Sequence, residues 1–293
     1  MKNTDMKDKK TINNYIEKRR SVRIRRSKLL QKTQNIEYKI AISTEELEQA
    51  FELVTQQYIN VGLHKKNNQL RLTRYHLLPD TKVFIAIRKN DDYTESVIGT
   101  ITMVTDRLMG LPMDELYKKQ LNNLRASGLH LAEVIGLSVS PEQSAIQNNI
   151  VVYLYKICLQ YARLRHINDL LCSVSKKHIR FYEDLLLFKP VGEILPYSYA
   201  NGQLAQGHRL DIHQASKEFK EVYSGMEFDA DLHRFFFTET KEFNRPKGEG
   251  EAMTPEQMRY FFEKRTQLLN NLSSRDKLIL QKEFKKINRE FIY

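Results

Sequence analysis

Two cysteines in 293 residues leave little room for thiol chemistry. Cys158 and Cys172 both stand inside apolar stretches, one reading as a helix and one as a strand, so each is expected as a small buried hydrophobe rather than half of a disulfide or a nucleophile. Neither has the exposed, electropositive surroundings that lower a thiol pKa. No run of eighteen apolar residues occurs, and no apolar segment follows MKNTDMKDKK, so neither a membrane span nor a secretory signal is expected and the cytoplasm is the expected compartment. His166, His178 and His208 are scattered without metal-ligand spacing, and no serine sits on a nucleophile elbow with histidine and aspartate in order. The expectation is therefore no metal and no permanently bound cofactor.

Acidic residues are scarce at the start of the chain. Residues 1–34 carry twelve Lys and Arg against three Asp and Glu, so this segment holds nine of the eleven net positive charges and the rest of the chain is nearly neutral. Such an arm suits an anionic membrane surface, an acidic protein or nucleic acid, or is simply a solvated terminus. Nucleic acid is not expected as a partner, because Tyr15 is the arm's only aromatic and no zinc or helix-turn-helix signature follows.

What is present beyond the arm has a clear period. Ile36 to Ile42 alternates like a half-buried strand, and Ser43 with Glu46 forms a capping-box signature, so a helix is expected from Thr44 to near Gly62. VFIAIRK and VIGTITMVTD, separated by the turn-rich NDDYTES, read as a hairpin. A short helix from Asp114 to Ala126 is expected to stop at Gly128. LHLAEVIGLSV reads as a strand, and Ile146, Ile150, Leu154, Ile157 and Tyr161 as one face of a helix. INDLLCSV is then a strand, HIRFYEDLLLF a helix, and KPVGEIL and HRLDIH the closing strands. This order describes a mixed α/β sheet rather than a repeat or a doubly wound fold. From Ala215 the strand signals stop. Phe219, Phe235, Phe236, Phe237, Phe261, Phe262, Leu268 and Leu269 suggest helices packing onto the sheet, one of them opened by Thr254-Pro255-Glu256-Gln257 as an N-cap with Pro at the first helical position.

Three segments carry a resemblance. LLPDTKVFIAI (Leu77 to Ile87), GLPMDELYKKQLNNLRASGLHLAEVIGLSV (Gly110 to Val139) and KKHIRFYEDLLLFKPVGE (Lys176 to Glu193) resemble the N-acyl amino acid synthases, a family of GNAT fold related to the acyl-homoserine-lactone synthases. The second is the most specific, an ordered Gly-Leu-Pro-hydrophobic-Asp loop, short helix and Ala-Glu-Val strand. The third departs from the pattern at Leu187, where glycine before the phenylalanine is usual. The resemblance spans Ile36 to His213. It implies an α/β (α+β) GNAT-like fold, a mixed and mostly antiparallel sheet flanked by helices. The expected organisation is a basic arm over 1–34, an acyltransferase domain over 35–214 and a helical C-terminal extension over 215–293. The implied activity moves a long-chain acyl group from an acyl-phosphopantetheine thioester, carried by an acyl carrier protein, to the amino group of an amino acid.

Thioester aminolysis needs a neutral amine, a polarised carbonyl and a proton for the leaving thiolate. Glu133, alone among the apolar residues of LAEVIGLSV, is the candidate for the amine. Alternation puts it on a face with Ile135 and Leu137, so it points into a cleft or else lies at a solvated edge. Tyr182 stands where GNAT enzymes often carry a tyrosine that protonates the leaving sulfur, and equally reads as a ring packed beside Phe181. The resemblance implies that the sheet splays after Leu137, Ser138 and Val139, whose backbone groups would meet the pantetheine arm. Arg74, preferred over Arg71, is the candidate for the acceptor carboxylate, against a solvated surface arginine.

Residues 138–156 contain no glycine, whereas GNAT enzymes using coenzyme A usually grip its pyrophosphate with a glycine-containing loop. Ala145, Gln147 and Asn148 would crowd that group, which favours a carrier-protein donor. The arm's Arg19, Arg20, Arg23, Arg25 and Arg26 would offer the matching surface. An acetyl-CoA-dependent acetyltransferase and a non-catalytic module binding an acylated carrier or a membrane surface remain as alternatives.

Overall fold

Ile36–Ile40 forms strand β1, and Ser43 then opens helix α1 (Thr44–Asn60) with the expected capping box. The Ser43 hydroxyl accepts the Glu46 amide at 3.1 Å, and the Glu46 carboxylate accepts the amides of Ser43 and Ile42 at 3.2 and 2.8 Å. The computed structural model describes residues 29–31, 33, 35–64, 69–92, 94–227, 229–237, 252–287 and 289–291. The five arginines of the basic arm lie outside these described residues.

β2 (Lys82–Lys89) and β3 (Glu95–Thr105) pair as the expected antiparallel hairpin. Helix α2 (Asp114–Ala126) ends at Gly128, whose φ of +76° is a left-handed stop that glycine adopts without steric cost. Strand β4 (Leu131–Val139), helix α3 (Gln147–Leu164) and strand β5 (Asp169–Ser175) form a parallel crossover unit. β6 (Lys189–Pro190), β7 (Leu195–Tyr197) and β8 (Gln203–Asp211) complete the sheet, followed by helices α4 (Ile212–Tyr223), α5 (Leu232–Phe237), α6 (Pro255–Arg259) and α7 (Ser274–Lys286). The strand order is β1-β2-β3-β4-β5-β8-β6, with β7 also on β8, and among the described residues only the β4–β5 pair is parallel.

Three expected elements differ. KPVGEIL is not one strand: only its ends pair with β8, as β6 and the start of β7. HRLDIH stops being extended at Asp211, because that side chain accepts the Gln214 amide at 3.0 Å and caps α4, which makes Ile212 and His213 helical. HIRFYEDLLLF is not a regular helix but a short turn followed by one π turn over Phe181–Leu185, with Leu186 N–H donating to the Phe181 carbonyl at 3.3 Å.

The sheet divides the core. One face holds Phe84, Met103, Val134 and Cys172 beneath α3, α4 and α5, including Phe219, Phe235 and Phe236. The other holds Ile85, Val104 and Leu171 beneath α1, α2, α6 and α7, including Phe261, Phe262 and Leu269. The C-terminal aromatics therefore serve two opposite layers. Thr254 caps α6 in a capping box with Gln257, Pro255 following as expected. The last residues of the arm are also part of the fold. Leu29 and Leu30 are buried, and the buried Asn149 amide donates to the carbonyls of Leu29 and Gln31 at 3.0 and 2.6 Å. Among the described residues no helix is long and apolar enough to cross a membrane.

Candidate active site

β4 and β5 separate before either strand ends. Their pairing runs from Leu131–Asp169 to Val134–Cys172 and no further, so β4 beyond Val134 keeps only β3 as a neighbour. The splay therefore starts inside the strand, three residues before Leu137. A β-bulge lies in the freed part: Ile135 pairs with Thr102 and Ser138 with Thr100, which leaves two β4 residues opposite Ile101, and Gly136 takes φ +65° there. The bulge reverses the side-chain alternation. Glu133, Ile135 and Ser138 share one face, while Leu137 packs with the opposite core, which corrects the expected grouping of Leu137 with Glu133.

A cavity of about 900 Å³ occupies the seam and is lined by residues from both faces of the sheet. On the α3 side it is lined by Leu29, Val151, Tyr155, Tyr182 and Leu185; on the α1 side by Tyr58, Arg71, Thr73, Tyr197 and Tyr199. Glu133 lines it between them and is fully buried. Its Oε2 accepts the Met113 amide at 2.7 Å, and its Oε1 has no hydrogen-bond partner among the described residues. Burial pushes its pKa up to about 8, with Asp114 and Asp106 adding to the rise and the Met113 amide opposing it. Glu133 thus lies in the cavity and not at a solvated edge.

The Gly-Leu-Pro-Met-Asp loop carries that amide and is itself firmly held. Asp114 Oδ2 accepts the Leu111 amide at 2.8 Å, and both its oxygens receive Arg125 at 2.7 Å. Arg125 also grips Asp106 through Nε at 2.6 Å, so one guanidinium fastens the loop to the end of β3. A Cβ on Gly110 would lie 2.5 Å from Asp114 Oδ2, and its φ is +73°, so both space and backbone require glycine. Tyr117 completes the support: its hydroxyl donates to the Glu193 carbonyl at 2.6 Å and accepts the Gly207 amide at 3.1 Å.

Tyr182 sits on the π turn with its ring edge-on to Tyr155, Phe181 and Phe188. Its hydroxyl accepts that of Tyr155 at 3.1 Å, and burial pushes its pKa well above the ordinary phenol value. It both packs and lines the cavity. Leu187 has φ +56°: the left-handed turn that a glycine usually makes is kept here by a buried leucine.

The model of the family described as N-acyl amino acid synthase FeeM matches residues 49–211, more than half of the chain. The chain belongs to this family of N-acyl amino acid synthases. A solved structure of FeeM, an N-acyl amino acid synthase from uncultured soil microbes, is similar at 25% identity over 63% of this chain and 95% of that one, with a TM-score of 0.55. The acyl-homoserine-lactone synthase LasI (11% identity, 61% and 92% covered, TM-score 0.41) and an N-acetyltransferase from Staphylococcus aureus Mu50 (16%, 61% and 98%, 0.39) are also similar. No curated protein matches the chain in sequence. The fold is GNAT-like, and the protein is an N-acyltransferase.

On this synthase scaffold Glu133, Leu137, Ser138, Val139 and Tyr182 all line the one cavity, and the Ser138 hydroxyl is buried there without a partner among the described residues. Arg74 does not line it. Its guanidinium pairs with Asp276 at 3.3 Å and donates to the Tyr75 hydroxyl at 3.2 Å, while Arg71 reaches the cavity instead, stacked 3.9 Å over the Tyr58 ring and donating to the Tyr199 carbonyl. Sequence reasoning also missed Tyr197 and Tyr199, whose only signal is the aromatic-rich YSY at 197–199. Gln147 and Asn148 at the start of α3 line the cavity beside Lys177, His178 and Arg180, at the C-terminal ends of β4 and β5, whereas Ala145 does not. Cys158 and Cys172 are buried, and burial raises both thiols well above their ordinary pKa. Among the described residues no group of His, Cys, Asp and Glu is set to hold a metal ion.

Proposed function

We propose that the enzyme transfers a long acyl chain from a carrier-protein thioester to the amino group of an amino acid. The observation that carries this reading is Glu133, a buried side chain with one carboxyl oxygen free of partners among the described residues, in a cavity lined from both faces of the sheet at the β4–β5 seam. The donor enters from the α3 side and the acceptor from the α1 side. The amine nitrogen attacks the thioester carbon, the C–N bond forms, and the C–S bond breaks. Glu133 takes the proton the ammonium must lose, since the approach of that cation favours its charged form. Tyr182 gives its proton to the departing thiolate, and the second proton that the nitrogen sheds as the amide forms restores the Tyr182 phenol, which the Tyr155 hydroxyl holds in place. Backbone groups of residues 135–139, without a β5 partner, face the pantetheine arm and the carbonyl oxygen. Arg71 supplies the fork for the acceptor carboxylate, in place of Arg74.

Cavity size supports a long chain over acetyl, which would leave most of the space unfilled. The donor assignment is supported by the α3 start, where Gln147 and Asn148 occupy the mouth and no glycine lets a pyrophosphate approach the backbone. The test is to supply dodecanoyl carrier protein or dodecanoyl-CoA with an equimolar mixture of the twenty amino acids and read N-acyl products by mass spectrometry. The expected result is acylated amino acid, faster from the carrier. Repeating the comparison without residues 1–28, which spares the docked Leu29–Gln31, isolates the arm: its loss should weaken the carrier preference and the salt dependence. Equal rates from both donors would remove the carrier assignment, and acetylation alone would favour the acetyl-CoA reading.

A further inference from the structure

The matched family residues stop at 211, yet a chain of contacts runs from the C-terminal helices back into the cavity wall. In α7, Asp276 binds Arg74 at 3.3 Å. Arg74 donates to the Tyr75 hydroxyl at 3.2 Å and lies 5.2 Å from the Tyr75 ring centroid. The Tyr75 ring tilts against Tyr199 at 6.2 Å, and the Tyr199 carbonyl accepts Arg71. A second tie is made by the backbone, Leu70 N–H donating to the Arg265 carbonyl at 3.3 Å. Arg265 in turn pairs with Glu48 and Glu52 of α1, and Glu48 also accepts the Tyr260 hydroxyl at 2.7 Å. Helix α1 is the element that carries Tyr58, the ring beneath Arg71.

The segment that carries these ties, residues 70–77, also meets α1 through the Arg71 N–H, which donates to Thr55 Oγ1 at 2.8 Å, and buries Leu70, Tyr75 and Leu77. It contains one turn of 3₁₀ helix, Arg74–Leu77, whose Thr73 amide and hydroxyl meet His76 Nδ1 at 3.1 Å each. Burial holds that imidazole down to about pKa 4, so it stays a neutral cap. A short turn of this kind does not fix the direction of a long arginine by itself. The C-terminal extension adds a tie on each side of Arg71, at Leu70 and at Arg74.

We propose that the C-terminal extension is an acceptor-positioning element: through Arg74–Asp276 and Leu70–Arg265 it sets the place of Arg71, Thr73 and Tyr199 on the acceptor side of the cavity. Arg74 is then a positioning residue and not a ligand. The proposal rests on the reading of the α1 side as the acceptor side.

The test uses the full-length enzyme with dodecanoyl carrier protein and the twenty-amino-acid mixture as the titrated acceptor probe. Arg74→Glu faces Asp276 with a like charge. It should raise the apparent acceptor KM by about fivefold, leave kcat and the donor KM within about twofold, and increase amide exchange across residues 70–78. The exchanged pair Arg74→Glu with Asp276→Arg should recover most of both effects. Unchanged exchange at 70–78, a parallel rise of donor and acceptor KM, or no recovery in the double variant overturns the proposal. Arg71→Ala separates it from the functional reading. If that variant raises the acceptor KM and Arg74→Glu does not, the link to α7 alone fails. If neither does, or if no amino acid is acylated, the acceptor-side assignment has failed and this proposal with it.

Discussion

The amide of Met113 holds one oxygen of Glu133 at 2.7 Å and leaves the other free in the cavity. A carboxylate so held is oriented without being used up. Glu133→Gln keeps the shape and the Met113 contact but cannot accept a proton, so turnover should fall about a hundredfold or more with donor binding retained. Near-wild-type turnover would remove Glu133 from the chemistry.

The same substitution has a signature in stability. Glu133 has a pKa of about 8 in the fold against an ordinary 4.5, so between these values the native state holds a proton the unfolded chain has lost. Its contribution is most favourable below pH 4.5, declines as pH rises through that window, and levels off above pH 8. Urea unfolding of Glu133→Gln and wild type should therefore diverge in favour of the variant between pH 5 and pH 9, by on the order of a few kcal/mol. A difference independent of pH would contradict the desolvated carboxylate.

Tyr182→Phe removes the proposed proton source for the leaving sulfur and also the acceptor of the Tyr155 hydroxyl. Transfer should slow, and stability should drop by about 1–3 kcal/mol because a buried hydroxyl loses its partner. Tyr182→Phe with Tyr155→Phe should recover part of the stability and none of the rate. A variant as active per folded molecule as wild type would leave Tyr182 a packing role.

Gly110→Ala asks a left-handed residue to carry a Cβ 2.5 Å from Asp114 Oδ2. A loss of about 2–4 kcal/mol is expected in urea unfolding, with lower activity because the Met113 amide follows the loop. A neutral result would show that Asp114 can leave Arg125 at no cost.

Leu187 lets strain and burial be weighed against each other. Leu187→Ala keeps the φ of +56° and loses the side chain; Leu187→Gly loses the side chain and relieves the backbone. Both should lie about 2–5 kcal/mol below wild type. The glycine variant should be the more stable of the two by about 1 kcal/mol, the reverse of the usual order. The usual order would mean that the turn relaxes around alanine.

Sheet, helix starts and the cleft position of Glu133 were legible because they rest on local signals: the Ser43 capping box, the Gly128 stop, an acidic residue in an apolar strand. The errors fall where a distant or single-residue feature decides. Arg74 and Arg71 are three positions apart in a segment without period, and what separates them is Asp276, two hundred residues onward. The side of Leu137 turns on the φ of Gly136, which no alternation pattern reports. Leu29 gave no sign of being core, since its partner is the Asn149 amide on α3.

The kink at Gly136 gives β4 two phases within nine residues. Ile135 packs with one core layer and Leu137 with the other, although they are next-nearest neighbours in sequence. A wall with that parity can be altered on either side alone. With the donor on the α3 side and the acceptor on the α1 side, as proposed, changing the size of Leu137 should alter the choice of acyl chain and changing Ile135 the choice of amine, so the two specificities could drift independently along one strand.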